Sequence, residues 1–451
     1  MAAGMSTTSG RDRPVAHWVS LAVIASLFVL AGAAALAPRL MPGNDGTARH
    51  IAAGGIFAAS YLALAIGRVP GLYIDRAGIA LVGASLMVAS GAMTLPAAYR
   101  AIDINTITLL LGMMIVVANL RLSGFFALAT AWVAARARRP IALLGVIVVV
   151  AGIASAFLVN DAICLVLAPL VLDLTITLRR NPVPYLLAVA MASNIGSTAT
   201  ITGNPQNMLV GSFSGLSYSA FTAALAPVAG LGLVAAVVLI VLLDRAEFLD
   251  QTVITPEPPR LRVNRPLVLR ALAATAAMIA LFFAGQPPAK VAIVIGALLL
   301  LTRRVKSTRV YAEIDWSLLL MFAGLFVITA GAGQTLLTPH VLGAVGQLHL
   351  DEVPILGVVT AALSNLVSNV PAVLVIRPFL ATVPEPARAW LTVAMASTLA
   401  GNLTLLGSVA NLIVAEKAAR RGVKIGFADY LRVGAPVTLV TLAIGIAWLA
   451  R

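Results

Sequence analysis

The sequence predicts an all-α polytopic membrane protein, an inverted repeat of about eleven transmembrane helices with two re-entrant hairpins and two broken helices. Three observations predict it. Of 451 residues, 60% are hydrophobic and only 11% are charged, whereas a soluble chain carries about 25% charged residues. Charge-free runs recur at lengths that cross about 30 Å of hydrocarbon, which takes roughly 20 helical residues, and they are apolar on every side where barrel strands would alternate. Finally, blocks of the first half return in the second.

The elements follow in order. Arg11 and Arg13 precede the first apolar run, Val19 to Ala37. The run resembles a signal peptide down to Ala33, Ala34 and Ala35, but it exceeds the roughly 7 to 15 residues of such an apolar core, so a retained span near 17–37 is expected. Further spans are expected near 50–67, 77–96 and 104–120. Leu122 to Ala135 is too short to cross and reads as an interfacial helix flanked by Arg121, Arg136, Arg138 and Arg139. Pro140 to Leu178 has Asn160 and Asp161 at its middle and positive residues at both ends, which calls for a hairpin that enters and returns on one side.

Asn181 to Leu243 carries no charge and is too long for one crossing, so spans near 184–214 and 219–243 are expected, followed by a cytoplasmic loop from Asp244 to Arg265. Spans near 267–284 and 286–302 turn at Pro287, Pro288 and Lys290. After Arg303, Arg304, Lys306 and Arg309 come a span near 314–331, a second hairpin at 353–384, a span at 389–415 ending on Lys417, Arg420, Arg421 and Lys424, and a last span at 433–450. This threading puts most of the 31 Lys and Arg on one side, which places the N-terminus in the cytoplasm of an inner-membrane protein.

Composition also excludes chemistry. The one cysteine, Cys164, allows no internal disulfide and no thiolate cluster, and the four histidines show no metal-binding spacing. No phosphate-binding Gly-x-x-x-x-Gly-Lys-Ser/Thr string is present, so no intrinsic ATPase is expected. The +14 net charge has no basic domain to occupy, so nucleic acid is not an expected partner. An enzyme is not expected, and neither is a cofactor beyond a coupling sodium ion or proton.

Ile102, Asp103 and Gly112 return as Ile314, Asp315 and Gly324, an offset of 212 residues; Ser155, Asn160 and Pro169 return as Ser364, Asn369 and Pro378, an offset of 209. The longest block aligns LLAVAMASNIGSTATITGNPQNMLV with WLTVAMASTLAGNLTLLGSVANLIV at an offset of 204, with identities that include Met191, Ser193, Thr200, Gly203 and Asn207. The expected spans between the copies are odd in number, so the copies face opposite ways, as in secondary transporters that hold their solute where inverted repeats meet. The expected division is 1–100, N-terminal scaffold helices; 101–243, first repeat; 244–312, cytoplasmic loop and linking helix pair; and 313–451, second repeat.

The candidate site is assembled from four pieces. Two are the hairpin turns, Val159-Asn160-Asp161 and Ser368-Asn369-Val370-Pro371; two are the polar, Gly-rich interruptions 193–207 and 401–411. Opened backbone frees carbonyls for a cation and turns half-helix N-termini toward an anion, while neutral amides and hydroxyls hold either. Solute contacts are therefore expected from Asn160, Ser193, Asn194, Ser197, Thr198, Thr200, Ser368, Asn369, Asn402 and Thr404, with Arg377 supplying positive charge. The coupling ion is expected at Asn160, Asp161, Gly203, Asn207, Asn369, Gly407 and Asn411. Asp161 is a carboxylate in an apolar run, a placement costing about 2.5 to 3.5 kcal/mol on insertion scales, which implies a role in cation or proton coupling or a structural ion pair with Arg377. Asp173 and Glu416, near span ends, are expected in surface ion pairs.

The strings ASNIGSTATITGNPQN, LVNDAICLVLAP, SNLVSNVPAVLVI and GNLTLLGSVANLIV resemble the ion transporter superfamily of arsenite permeases, sodium/proton antiporters, citrate-type carriers and divalent-anion symporters, over roughly residues 50 to 450. The Asn-Asp turn and the ASNIG string are most similar to the anion-permease and arsenite-permease branch. The dicarboxylate branch has Ser-Asn-Thr at both hairpin turns, where this chain has Val-Asn-Asp and Ser-Asn-Val. The resemblance implies a homodimer whose transport subdomain moves against a scaffold in an elevator-like way, with ion sites at Asn160, Gly203, Asn369 and Gly407. The expected function is ion-coupled transport of a small anion or oxyanion through the bilayer, with arsenite or antimonite efflux and sodium/proton antiport as rivals. From another class, the rival is a non-transporting membrane subunit.

Overall fold

The structure, a computed structural model, describes residues 45–66, 73–136, 139–248, 264–302, 304–336 and 348–451. The expected span at 17–37, most of the loop 244–265 and the stretch 337–347 lie outside the described residues. The described chain is helical and contains no strand among the described residues. Eight of its helices are long and apolar enough to cross a membrane.

The chain divides into two compact units. The first contains α1 (Asp45–Ile66), α2 (Arg76–Ala89), α3 (Leu95–Ala101) and, from the second half of the chain, α15 (Trp316–Leu336). The expected continuous span 77–96 is corrected here: α2 ends at Ala89, Gly91 takes a left-handed φ of +72°, and the Thr94 hydroxyl caps a separate α3. Glycine in that conformation ends helices because it has no Cβ to clash. Within this unit α15 packs onto α2 at Gly324, where an added Cβ would lie 2.6 Å from the carbonyl carbon of Ala80.

The second unit begins with α4 (Ile104–Ser123), α5 (Phe125–Arg136), α6 (Pro140–Phe157), α7 (Asn160–Thr177) and α8 (Pro182–Ser197). It continues through α9 (Pro205–Ser214), α10 (Tyr218–Leu243), α11 (Arg245–Phe248), α12 (Arg265–Phe283), α13 (Pro288–Leu300) and α14 (Ser307–Tyr311). After α15 it resumes with α16 (Val353–Val367), α17 (Asn369–Ile376), a 3-10 turn at Arg377–Thr382, α18 (Pro386–Ala400), α19 (Val409–Ala419) and α20 (Phe427–Leu449). Here α4 packs onto α13 at Gly112, where a Cβ would lie 2.5 Å from the carbonyl carbon of Ala292. Gly112 and Gly324 are 212 residues apart, and so are Ala80 and Ala292. The same close helix crossing is thus made twice, each glycine meeting an alanine on a helix that recurs at the same offset. At 1.5 Å per residue the 13-residue α13 is only about 20 Å long, shorter than the hydrocarbon it was expected to cross.

The centre of the second unit is α8 and α9. Every residue from Pro184 to Val210 is buried, with α6, α7, α10, α18, α19 and α20 packed around this segment. A segment so rich in Ser, Thr and Asn tolerates burial because its polar groups find one another, as described below. At one end of the unit, Arg180 meets Glu247 at 3.2 Å and the Tyr185 hydroxyl donates to the same carboxylate at 3.0 Å, so the short α11 is held against the start of α8.

Candidate functional site

Both expected broken helices are present. α8 stops at Ser197 and α9 starts at Pro205; α18 stops at Ala400 and α19 starts at Val409. The same side chain braces each opening. The Asn207 amide donates to the carbonyls of Ser197 (3.0 Å) and Thr200 (2.9 Å), and the Asn411 amide donates to those of Gly401 (2.7 Å) and Thr404 (3.0 Å). All three positions correspond at the offset of 204. Asparagine supplies donors that a continued helix would have taken from backbone N–H groups, so the opened carbonyls stay satisfied without closing the helix. Glycine is required beside it: a Cβ at Gly203 would lie 2.1 Å from the Ser197 oxygen, and one at Gly407 2.8 Å from the Gly401 oxygen.

The openings are also tied to each other. Asn194 of α8 donates to Asn411 Oδ1 (3.0 Å) and Asn402 Oδ1 (2.8 Å). Its counterpart in the second copy, Thr398, donates to Asn207 Oδ1 (3.3 Å). In return Asn204 donates to Thr398 Oγ1 (3.2 Å) and its counterpart Ser408 donates to Asn194 Oδ1 (3.2 Å). Four of the bonds that cross between copies thus form two matched pairs, among residues no more than 6% exposed.

The hairpin turns dock on this centre. The first lies at Leu158 and Val159, with Asn160 and Asp161 forming the opening turn of α7. The Asn160 backbone N–H donates to Gly203 O (2.9 Å), its amide donates to Asn194 Oδ1 (3.0 Å), and its carbonyl accepts from Ser193 Oγ (3.1 Å), which also meets Ser155 Oγ at 2.8 Å. Its side-chain oxygen is buried with no hydrogen-bond partner. The second turn is Ser368 alone, a non-glycine residue at φ +80°, a conformation costing about 1–3 kcal/mol that tends to persist at functional sites. With its amide nitrogen assigned toward the acceptors that face it, Asn369 donates to Ser364 Oγ (2.8 Å), Ser397 O (3.3 Å) and Gly407 O (3.3 Å). Nearby Asn365 keeps a buried, unpartnered side-chain oxygen.

Of the residues singled out in the sequence, Asn160, Ser193, Asn194, Ser197, Thr200, Asn207, Asn369, Asn402 and Asn411 are joined in this centre by their side chains, and Gly203, Thr404 and Gly407 by backbone atoms. Thr198 is buried and bonds back to Asn194 O. Asp161 is half-buried beside it and makes no ion pair with Arg377; the structural pairing weighed for it is not formed. Arg377 instead sits exposed, 3.7 Å from the ring centre of Phe213 at the end of α9. Asp173 and Glu416 are in surface ion pairs, with Arg421 and Arg420 respectively. Thr398 lies outside the four pieces singled out in the sequence, whereas its partners Asn204 and Gln206, which donates to Thr398 Oγ1 at 3.2 Å, fall within 193–207 without an individual role. The offset of 204 pairs Thr398 with Asn194, and that signal was available.

Two copies of one fold, each offering a broken helix and a hairpin turn to a shared buried polar centre, define a multi-pass membrane transporter. A citrate transporter family model, CitMHS, matches residues 61–400. The chain belongs to the CitMHS family. It is 31% identical to an uncharacterized transporter of Mycobacterium tuberculosis, over 87% of this chain and 96% of that one. It is 30% identical to the silicon efflux transporter LSI3 of Oryza sativa subsp. japonica, over 85% and 94% of the two chains. A putative transporter arsB of Dictyostelium discoideum is 25% identical over 83% and 87%. The crystal structure of the Alcanivorax borkumensis YdaH transporter shares the fold with a TM-score of 0.57, at 16% identity, over 79% of this chain and 86% of that one.

Proposed function

We propose that this transporter is a secondary carrier that moves a small anion or oxyanion across the inner membrane, driven by a sodium or proton gradient, through an elevator-like movement of a homodimer. The observation that carries the reading is the centre itself. Opened backbone from two copies surrounds neutral amides and hydroxyls, and the Asn160 side-chain oxygen there is buried without a donor. An orphan acceptor of that kind is costly unless a cation or a solute hydrogen satisfies it. Asn160 and Asp161 then hold the coupling ion together with Gly203 and Asn207, while Asn369, Gly407 and Asn411 form the corresponding place in the second copy. Ser193, Asn194, Ser197, Thr198, Thr200, Ser368, Asn402 and Thr404 serve the solute, with Arg377 drawing an anion toward the turn.

A second reading, efflux of a hydroxylated oxide such as arsenite or antimonite, is favoured by one feature. Every bond of the centre runs between neutral groups, which suits a solute recognised through hydroxyls. The rice relative is named a silicon efflux transporter, which points the same way. The test is flux through the purified full-length protein in liposomes, across a panel of carboxylates, oxyanions and neutral oxides, with sodium and pH gradients imposed separately. Gradient-driven uptake of an anion supports the first reading and movement of only neutral oxides the second. No flux of any solute under either gradient would overturn both.

A further inference from the structure

We propose that a cavity of about 320 Å³ in the second unit is a binding site for a small, uncharged molecule carrying a hydrogen-bonding group. The cavity lies where α4, α10 and α13 begin and where α9 and α12 end. Protein interiors are close-packed, with few voids larger than a water molecule, and this volume falls at the lower end of the roughly 300–1,000 Å³ of small-molecule sites.

Its chemistry defines the ligand. Amide and hydroxyl groups come from Asn105, Thr106, Ser212 and Gln286, and the lining includes no Asp, Glu, Lys, Arg or His. A charged ligand would lose its hydration there without meeting an opposite charge, whereas a neutral hydrogen-bonding one would not. The Tyr218 and Phe282 rings, 5.1 Å apart, are buried against each other behind the lining, so the groups the cavity presents for recognition are the polar ones. The mouth is open: Ser212, Ser217 and Gln286 are exposed, and a Cβ built on Gly285 would meet nothing within 4 Å.

The far wall is the transport centre's own backbone. Ile201, in the opening between α8 and α9, lines the cavity together with Met208 of α9. The next residue, Thr202, bonds to the Tyr218 hydroxyl at 2.8 Å. A molecule in the cavity therefore presses on the segment that holds the first copy open, and its occupancy restrains that segment. This site is separate from the ion and solute positions proposed above and stands whether or not they are correct.

Benzamide and benzoate, alike in shape and unlike in charge, are the probes. Full-length protein in lipid nanodiscs is examined by ligand-observed saturation-transfer NMR, with empty nanodiscs subtracted. Benzamide should receive protein-dependent saturation at least tenfold above benzoate, and hydrogen exchange across 198–204 should slow in its presence. Ala289→Trp, which fills the cavity, should abolish both effects; if that variant does not fold, Ser212→Tyr fills it from the opposite side. Equal saturation of the two probes, no protein-dependent signal for benzamide, or an undiminished signal in a folded cavity-filled variant would overturn the proposal. If neither variant folds, the contrast between the two probes on the wild-type protein decides.

Discussion

Asn194 donates to Asn411 across the two copies at 3.0 Å, and the residue 204 positions after Asn194, Thr398, donates to the residue 204 positions before Asn411, Asn207, at 3.3 Å. The polar centre is therefore a two-fold device in which each opening is braced from within and tied to the other.

Thr398 is the residue on which this tie should be tested. Its hydroxyl accepts from Asn204 and Gln206 and donates to Asn207, all in the other copy. Thr398→Val keeps the shape and takes this partner from Gln206 Nε2 and Asn207 Oδ1, at about 1–3 kcal/mol for each group left unsatisfied, while Asn204 keeps its bonds to Ser197. Hydrogen exchange should then accelerate at least tenfold in 204–210, some 190 residues away in sequence, and Thr398→Ser should restore it. Acceleration confined to the neighbourhood of Thr398 would show that the copies are not coupled.

Glycine substitutions should separate sharply by position. Gly203→Ala places a methyl group 2.1 Å from a backbone oxygen and should abolish flux and lower thermal stability; Gly407→Ala, at 2.8 Å, should do the same less severely. Gly145→Ala, where a Cβ meets nothing within 4 Å inside a helix, should be neutral or stabilising by about 0.5–1 kcal/mol. Flux and unfolding temperature measured on the three variants together give the ranking.

At the hairpin turns, Asn160→Ala and Asn369→Ala should each abolish flux in liposomes while the protein remains folded in detergent. Asp161→Asn should flatten the sodium or pH dependence of flux before it weakens solute binding, because it removes a charge and keeps the shape. Wild-type flux in both Asn variants would rule the turns out of the site.

The clamp at the start of α8 gives a stability prediction independent of transport. Arg180 and Glu247 have side chains 11% and 14% exposed and share Tyr185 as a third partner. Glu247→Gln should cost about 1.5–3 kcal/mol, the usual worth of a hydrogen bond to a charged group, and Tyr185→Phe less. Thermal unfolding in detergent measures both. An exposed pair such as Arg420 and Glu416, 67% and 62% accessible, should give no measurable loss.

Much of this was legible in the residues. Charge-free length located the helices, and the repeated Ser-Asn-Gly positions located both openings, since Gly and Asn at a fixed offset have no packing reason to recur together. The α2 span was misjudged because Gly91 lies inside an apolar run, where only the left-handed backbone reveals a stop. Arg377 lies over the ring of Phe213, a partner 164 positions away in sequence that no local pattern indicates.

The sequence by itself determined the membrane class, the repeat and the two unwound segments, because hydropathy and glycine content act locally and need no partner. Only the tertiary structure decided that Asn194 faces Asn411, that Thr398 answers it, and that Asn160 is left with an unmet oxygen. Hydrogen bonds between residues some 190 to 220 positions apart depend on how helices pack, and a side chain's neighbours are not encoded in its own segment.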